Sequence, residues 1–268
     1  MCCFRKKACI TTCISWDSPR VVKTSKQVWL VAHPRPRNSK VRSQPAARPA
    51  PSQLQHEVVI PGTPKSLNGT VALLHGRGDN ATGIAPLAFE LNREDVHVIS
   101  IQAPLVLDPP YAGGYEWYRM HEAGQPEQPT LFASLTALAS FLESILRKYP
   151  DGADRVVLMG FSQGAVSALG LQAQRPDLVA GVIAMSGYFP LEAEDIGTNL
   201  DGQPIFLGHG TADPVIPITL GRQSLKTLEK LSATVTYREY PIGHQVSVDE
   251  LEDIRMWLDG ILPRPKKS

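Results

Sequence analysis

Gly160-Phe161-Ser162-Gln163-Gly164 constrains this chain more than any other stretch, because of what flanks it. Before it stands Arg155-Val156-Val157-Leu158-Met159, a short β-branched apolar run suited to a strand covered on both faces. After it, Ala165 to Gln174 is rich in Ala, Leu and Gln and stops at Arg175-Pro176, as a helix does before a proline. A G-x-S-x-G serine between a strand and a helix predicts a sharp, strained turn that lifts the hydroxyl out of the sheet. Side chains at positions 160 and 164 would collide with the adjoining strand and helix, a conflict that glycine relieves. The turn would also set the backbone N–H of Gln163 at a helix N-terminus, facing a developing oxyanion. An ordinary Gly-rich β-to-α turn is the competing reading.

The remainder of residues 55–268 supplies a matching frame. Strands are expected at 57–60, 70–74, 96–101, 178–185, 204–210 and 233–239, and helices at 84–91, 131–149, 218–231 and 247–262. In the long helix, Leu131, Leu135, Leu138, Leu142, Ile145 and Leu146 share one face, which reads as core. Alternating apolar strands and helices predict an α/β domain with a mostly parallel sheet and helices on both faces. Residues 103–129 form a long Pro-, Gly- and aromatic-rich stretch, and a loop of that length in a compact domain is usually functional. The sequence holds neither a G-x-G-x-x-G nor a P-loop phosphate motif.

A serine is a weak nucleophile without a base and an orienting acid. In this architecture they follow it along the chain as acid, then histidine. His244, after Gly243 in a loop that opens a helix, fits best. His209 would need an acid from the Glu192–Asp201 stretch, and it sits between glycines at a strand end, where a structural role fits better. Asp213, in the loop after the 204–210 strand, is the acid at the correct sheet edge; capping the following helix is its competing role. A second oxyanion donor is expected after the 70–74 strand, as the backbone N–H of Arg77. That assignment leaves the Arg77 side chain to meet an anionic substrate group, while His75 reads as a structural loop histidine.

Charge divides the chain. Residues 1–50 carry eleven Lys and Arg and one acid, Asp17, whereas residues 51–268 carry 16 basic and 25 acidic side chains. Residues 1–54 are therefore expected to be an unfolded extension, with too little apolar surface to offset ordering. All four cysteines, Cys2, Cys3, Cys9 and Cys13, lie within it, so the body has neither a disulfide framework nor a cysteine metal site. Cys2 and Cys3 beside Arg5-Lys6-Lys7 fit an acylated, polybasic membrane anchor. The Arg- and Ser-rich, acid-poor composition fits an organelle transit peptide; a secretory signal fits least, because Ala8 to Trp16 is short and interrupted by two threonines, and a dispensable or wrongly called start competes with all three. A cytoplasmic location is expected, with a membrane-associated one through acylated Cys2 and Cys3, or an organellar one, as the alternatives. No run reaches the roughly 20 apolar residues of a membrane span, and the tail lacks the aromatic interleaving of a nucleic-acid-binding segment.

With these residues in place, 56–262 resembles the phospholipase/carboxylesterase family of α/β-hydrolases, which includes the acyl-protein thioesterases. The resemblance rests on Leu74-His75-Gly76-x-Gly78-Asp79, Trp117-Tyr118, Gly160-Phe161-Ser162-Gln163-Gly164, Met185-Ser186-Gly187-Tyr188-Phe189-Pro190, His209-Gly210-Thr211-Ala212-Asp213-Pro214-Val215-Ile216-Pro217 and Gly243-His244. Arg77 departs from the Leu that thioesterases usually carry. The resemblance implies an α/β-hydrolase fold with little or no cap domain and a Ser162–Asp213–His244 triad. It also implies an acyl slot near Trp117 and Phe189, and hydrolysis of a small carboxylic ester or thioester (EC 3.1) without metal or cofactor. A monomer or homodimer is expected. A catalytically silent α/β-hydrolase serving as a small-molecule receptor or binding module is the alternative, and a peptidase or amidase is a second.

Overall fold

The computed structural model describes residues 22–24, 27–29, 54–60, 67–107, 113–121, 125–148, 155–190 and 199–265. Within the basic extension, β1 (Val22–Thr24) pairs antiparallel with β2 (Gln27–Trp29) in a ribbon of their own. The other expectations for residues 1–54 lie outside the described residues.

The body is a seven-stranded sheet. In chain order its strands are β3 (His56–Ile60), β4 (Thr70–Leu74), β5 (His97–Ile101), β8 (Val156–Phe161), β9 (Gly181–Met185), β10 (Pro204–Gly210) and β11 (Thr234–Tyr240). They lie side by side as β11-β10-β9-β8-β4-β5-β3. Only β3 runs antiparallel to its neighbour, with a register shift between Val58 and Ile60. Every residue of β4, β5, β8 and β9 is buried, because helices cover both faces. Successive side chains alternate between two cores. Ala72, Leu74, Leu158, Val182 and Ala184 meet α3 (Gln128–Lys148), α4 (Gln163–Gln174) and α5 (Ile218–Lys230) on one side. Val71, Leu73, Val157, Met159 and Ile183 meet α1 (Ala81–Ile84), α2 (Leu87–Glu90) and α6 (Val248–Ile261) on the other. Each fully buried aliphatic side chain contributes about 1.5–3 kcal/mol, so unbroken apolar runs specify this central layer.

Most expected elements fall within a few residues of their observed bounds, and three differ for identifiable reasons. The helix expected at 84–91 is two single turns, α1 and α2, because Pro86 has no N–H to continue the ladder across the junction. Helix α3 begins at Gln128, since Pro129 in a first turn costs no hydrogen bond. The stretch expected to be irregular after Ala103 contains a small hairpin, β6 (Leu105–Val106) with β7 (Tyr115–Glu116). Helix α3 also reaches the length and hydropathy of a membrane span over Gln128–Arg147. Its Leu131, Leu135, Leu138, Leu142 and Ile145 are nevertheless buried in the first core.

The order of the strands locates the site. After β4 the chain adds β5 on one flank, then crosses back to place β8 on the other. The loops leaving the carboxyl ends of β4 and β8 therefore diverge, opening the crevice where open α/β sheets bind ligands.

Candidate active site

Ser162 occupies the turn from β8 to α4 at φ 55°, ψ −119°, a conformation costing a non-glycine residue about 1–3 kcal/mol. Its N–H donates to the Met185 carbonyl at 2.9 Å, and its carbonyl accepts from Val166 N–H at 3.1 Å. The flanking glycines are sterically required. A Cβ at Gly160 would lie 2.3 Å from the Gly164 carbonyl, and one at Gly164 would lie 2.1 Å from the Leu74 carbonyl oxygen. Both obstacles are backbone and cannot rotate aside.

His244 comes from the loop between β11 and α6, and Asp213 from the loop after β10. His244 Nε2 is 3.0 Å from Ser162 Oγ, and His244 Nδ1 is 2.7 Å from Asp213 Oδ2. The Phe161 ring stands 4.8 Å from the imidazole and backs it. Asp213 Oδ1 accepts from the N–H groups of Val215 and Ile216 at 2.8 and 2.9 Å. Burial pushes the Asp213 carboxyl up, but the His244 hydrogen bond and charge, with those two amides, outweigh it and hold the pKa below the ordinary value. The N-cap of α5 is Pro217, so Asp213 does not cap that helix.

The two histidines read as structural have structural contacts. His209 Nε2 donates to the Ile216 carbonyl at 2.9 Å and lies 3.7 Å from Asp213 Oδ2, steadying the loop that carries the acid. Burial lowers its pKa. His75 Nδ1 donates to the Gly76 carbonyl at 2.7 Å, and its Nε2 accepts from Ala103 N–H at 3.0 Å. Burial takes its pKa down to about 4 against that Gly76 bond, so the ring is neutral.

Gln163 is the first residue of α4, a position whose N–H has no partner within the helix. Arg77 lies in the loop after β4, opposite it across the switch point. The Arg77 side chain does not wait for a substrate anion: its Nε donates to Glu116 Oε2 on β7 at 2.8 Å. Trp117 has no exposed surface and therefore cannot line an acyl slot in this conformation. Its indole N–H instead satisfies the His75 carbonyl at 2.9 Å, the partner that a buried indole needs. Phe189 keeps 9% exposure, with its N–H donating to Ser224 Oγ at 2.7 Å. Sequence reasoning missed the Gln163 carboxamide, which reaches across to the residues after β7. It also missed Asp79, a buried acid lifted to about 7 by burial against the Asn80 amide. Asp79 lay within the quoted Gly76-x-Gly78-Asp79 motif, but its burial has no signature in one sequence. Among the described residues, no group of three or more His, Cys, Asp or Glu side chains could hold a metal ion.

Known proteins resemble this chain in sequence and in fold. The family model described as Phospholipase/Carboxylesterase matches residues 54–262. Acyl-protein thioesterase 1 of Debaryomyces hansenii is 32% identical over 235 residues, covering 80% of this chain and 100% of that protein. The Candida albicans acyl-protein thioesterase 1 is 27% identical over 226 residues, covering 76% and 97%. Among solved structures, the Bacillus cereus carboxylesterase superposes with a TM-score of 0.69 at 25% identity, covering 78% of this chain and 94% of that one. Esterase PE8 shares the fold with a TM-score of 0.68 at 24% identity, covering 78% and 100%. The chain belongs to the phospholipase/carboxylesterase family of α/β-hydrolases and is a serine hydrolase of that type.

Proposed function

We propose that the protein cleaves small carboxylic esters and thioesters through an acyl-enzyme on Ser162, with His244 as base and Asp213 as its orienting acid. The observation that carries this reading is the hydrogen-bonded chain Ser162 Oγ–His244 Nε2–Nδ1–Asp213 Oδ2, at 3.0 and 2.7 Å. His244 Nδ1–H donates to the Asp213 carboxylate, which leaves the Nε2 lone pair facing the serine hydroxyl. As Ser162 Oγ attacks the acyl carbonyl, its proton passes to Nε2, and Asp213 stabilises the imidazolium that forms. The backbone N–H groups of Gln163 and Arg77 take the oxyanion. The tetrahedral species collapses when imidazolium returns its proton to the leaving alcohol or thiol. Water, deprotonated by His244, then cleaves the acyl-enzyme and restores the serine.

Thioesters stand beside oxygen esters because thioesterases are among the relatives. The lowered pKa of Asp213 supports its role, since the acid must stay ionised while the imidazole charges. The test is Ser162→Ala, which keeps the turn and its hydrogen bonds and should fold with an unchanged melting temperature. It should lose p-nitrophenyl acetate hydrolysis and fluorophosphonate labelling. Labelling of the variant, or undiminished turnover, would overturn the assignment. A silent receptor would leave the wild-type serine unlabelled.

A further inference from the structure

The short segment Tyr115–Met120 is joined to both sides of the crevice. On the β4 side, Gly78 N–H donates to the Tyr115 carbonyl and Tyr115 N–H to the Asp79 carbonyl, each at 2.9 Å. Glu116 takes the Arg77 Nε–H at 2.8 Å, and the Trp117 indole N–H reaches the His75 carbonyl at 2.9 Å. The approach is so close that a Cβ at Gly114 would lie 2.5 Å from the Gly78 carbonyl oxygen. On the β8 side the segment is joined through the Gln163 side chain. Gln163 Oε1 accepts from Trp117 N–H at 2.9 Å, and Gln163 Nε2 donates to the Tyr118 carbonyl at 2.8 Å, with Met120 Sδ at 3.5 Å. Gln163 is 3% exposed, so these bonds face no competition from bulk water.

We infer that Tyr115–Met120 is a splint that fixes the Arg77 and Gln163 amides relative to each other, and that the Gln163 carboxamide is a positioning residue joining the splint to the nucleophile turn. The role rests on the triad reading above, and it concerns the side chain of a residue whose backbone N–H every variant retains. An amide is required at this joint, because the joint needs an acceptor for Trp117 N–H and a donor for the Tyr118 carbonyl within one planar group. A carboxylate supplies the first without the second, and a thioether offers only a weak acceptor and no donor. The two oxyanion amides sit on loops that diverge from β4 and β8, adjacent strands whose own ladder stops at Leu74 and Gly160. Beyond that point the splint bridges the loops. Oxyanion donors must lie about 2.7–3.1 Å from the developing oxyanion, a tolerance of a few tenths of an ångström, so loosening the bridge weakens the transition state and leaves ground-state binding intact.

Three variants test this: Gln163→Met, Gln163→Glu, and Trp117→Phe, which cuts the splint from His75 at its other end. Each is assayed on p-nitrophenyl acetate, with active sites counted by fluorophosphonate labelling of Ser162 and folding checked by thermal unfolding. The expected result is a fall in kcat of about 10- to 100-fold with KM within about threefold, short of the loss of a whole oxyanion donor. Trp117→Phe and the near-isosteric Gln163→Glu carry the test if Gln163→Met does not fold. The inference is overturned if the folded variants keep kcat within about twofold of wild type, or if KM alone rises. If the wild-type protein itself fails to label at Ser162, the triad reading falls and takes this one with it; labelled wild type with unaffected variants removes the splint alone.

Discussion

Glu250→Gln should change how the protein's stability depends on pH. Glu250 lies in the first turn of α6, and its side chain is buried, with Oε1 lacking a hydrogen-bond partner among the described residues. It packs so closely on β10 that a Cβ at Gly208 would lie 2.3 Å from Oε1. Burial raises the carboxyl from 4.5 to about 8; the Ser247 amide opposes the rise and the Asp253 charge adds to it. The sign follows from proton counting. Below the unfolded value both states hold the proton, and the contribution to stability is intact. Between the two values the unfolded chain releases its proton while the native protein keeps it, so stability falls by about 1.4 kcal/mol per pH unit. Above the folded value the loss is complete, at about 5 kcal/mol. Glutamine has the same shape and does not titrate. The stability of Glu250→Gln relative to wild type should therefore rise by about 4 kcal/mol between pH 5 and pH 9, on the order of 10 °C in melting temperature. Asp79 titrates in the same window in both proteins and cancels in the difference. The assay is urea denaturation of both proteins across that range at fixed ionic strength. A difference that stays constant to within about 1 kcal/mol would mean that Glu250 is already ionised in the native state, and the reasoning would fail.

Asp213→Asn should fold normally yet lose about 10⁴ in kcat. The two amides at Oδ1 hold the Asn oxygen on their side, so its NH2 faces His244 Nδ1 and moves the ring proton to the nitrogen beside Ser162. A drop of less than tenfold in steady-state kinetics would contradict this. Gly164→Ala puts a methyl 2.1 Å from the Leu74 carbonyl oxygen and should give insoluble or unfolded protein. Gly260→Ala, on α6 with no atom within 4 Å of the new methyl, should raise stability by about 0.5–1 kcal/mol in the same unfolding assay. Arg93 is buried between Asp95 and Asp259 and donates to the Leu262 carbonyl, and Arg93→Ala should cost about 3–5 kcal/mol by stranding those partners. Loss of under 1 kcal/mol would show that solvent repairs the site.

The parts of this protein that a sequence reveals are those specified by local physics. The buried parallel strands show as apolar runs, and the turn at Ser162 shows as glycines that no other residue can replace. The closing helix was legible from Ser247 onward, where the Oγ caps it by accepting from Glu250 N–H at 3.1 Å. Chain order then singled out His244 and Asp213, which lie 82 and 51 residues after the serine yet meet it through backbone topology. What stayed hidden depends on contacts between distant segments. Residues 105–106 and 115–116 are too short to announce a hairpin, and they persist because Tyr115 also bonds the loop after β4. The slot near Trp117 was what the resemblance implied, and the burial of that ring depends on segments that one sequence does not bring together. Nothing in one sequence sets Glu250 and Asp79 apart from surface acids, since it carries no record of what packs over a carboxyl. The amide of Gln163 was legible as backbone geometry, whereas its side chain acquires a role only once Trp117 is brought beside it.

The antiparallel course of β3 has a practical consequence for anyone attaching a label to this protein. Because His56 pairs with Ile101, the chain enters the domain at the rim from which the Ser162 loop also emerges. Helix α6 leads away from that rim, and the far end of the chain is held at the opposite one, where Asn68 donates to the Pro263 carbonyl and Arg155 to that of Ile261. A fluorophore, affinity tag or surface tether placed at Leu54 would share the rim of the sheet that carries the Ser162 turn, while one placed after Arg264 would stand at the opposite rim. Immobilised by its tail, the enzyme presents its crevice to solution; immobilised through the head of the domain, it turns that crevice toward the support.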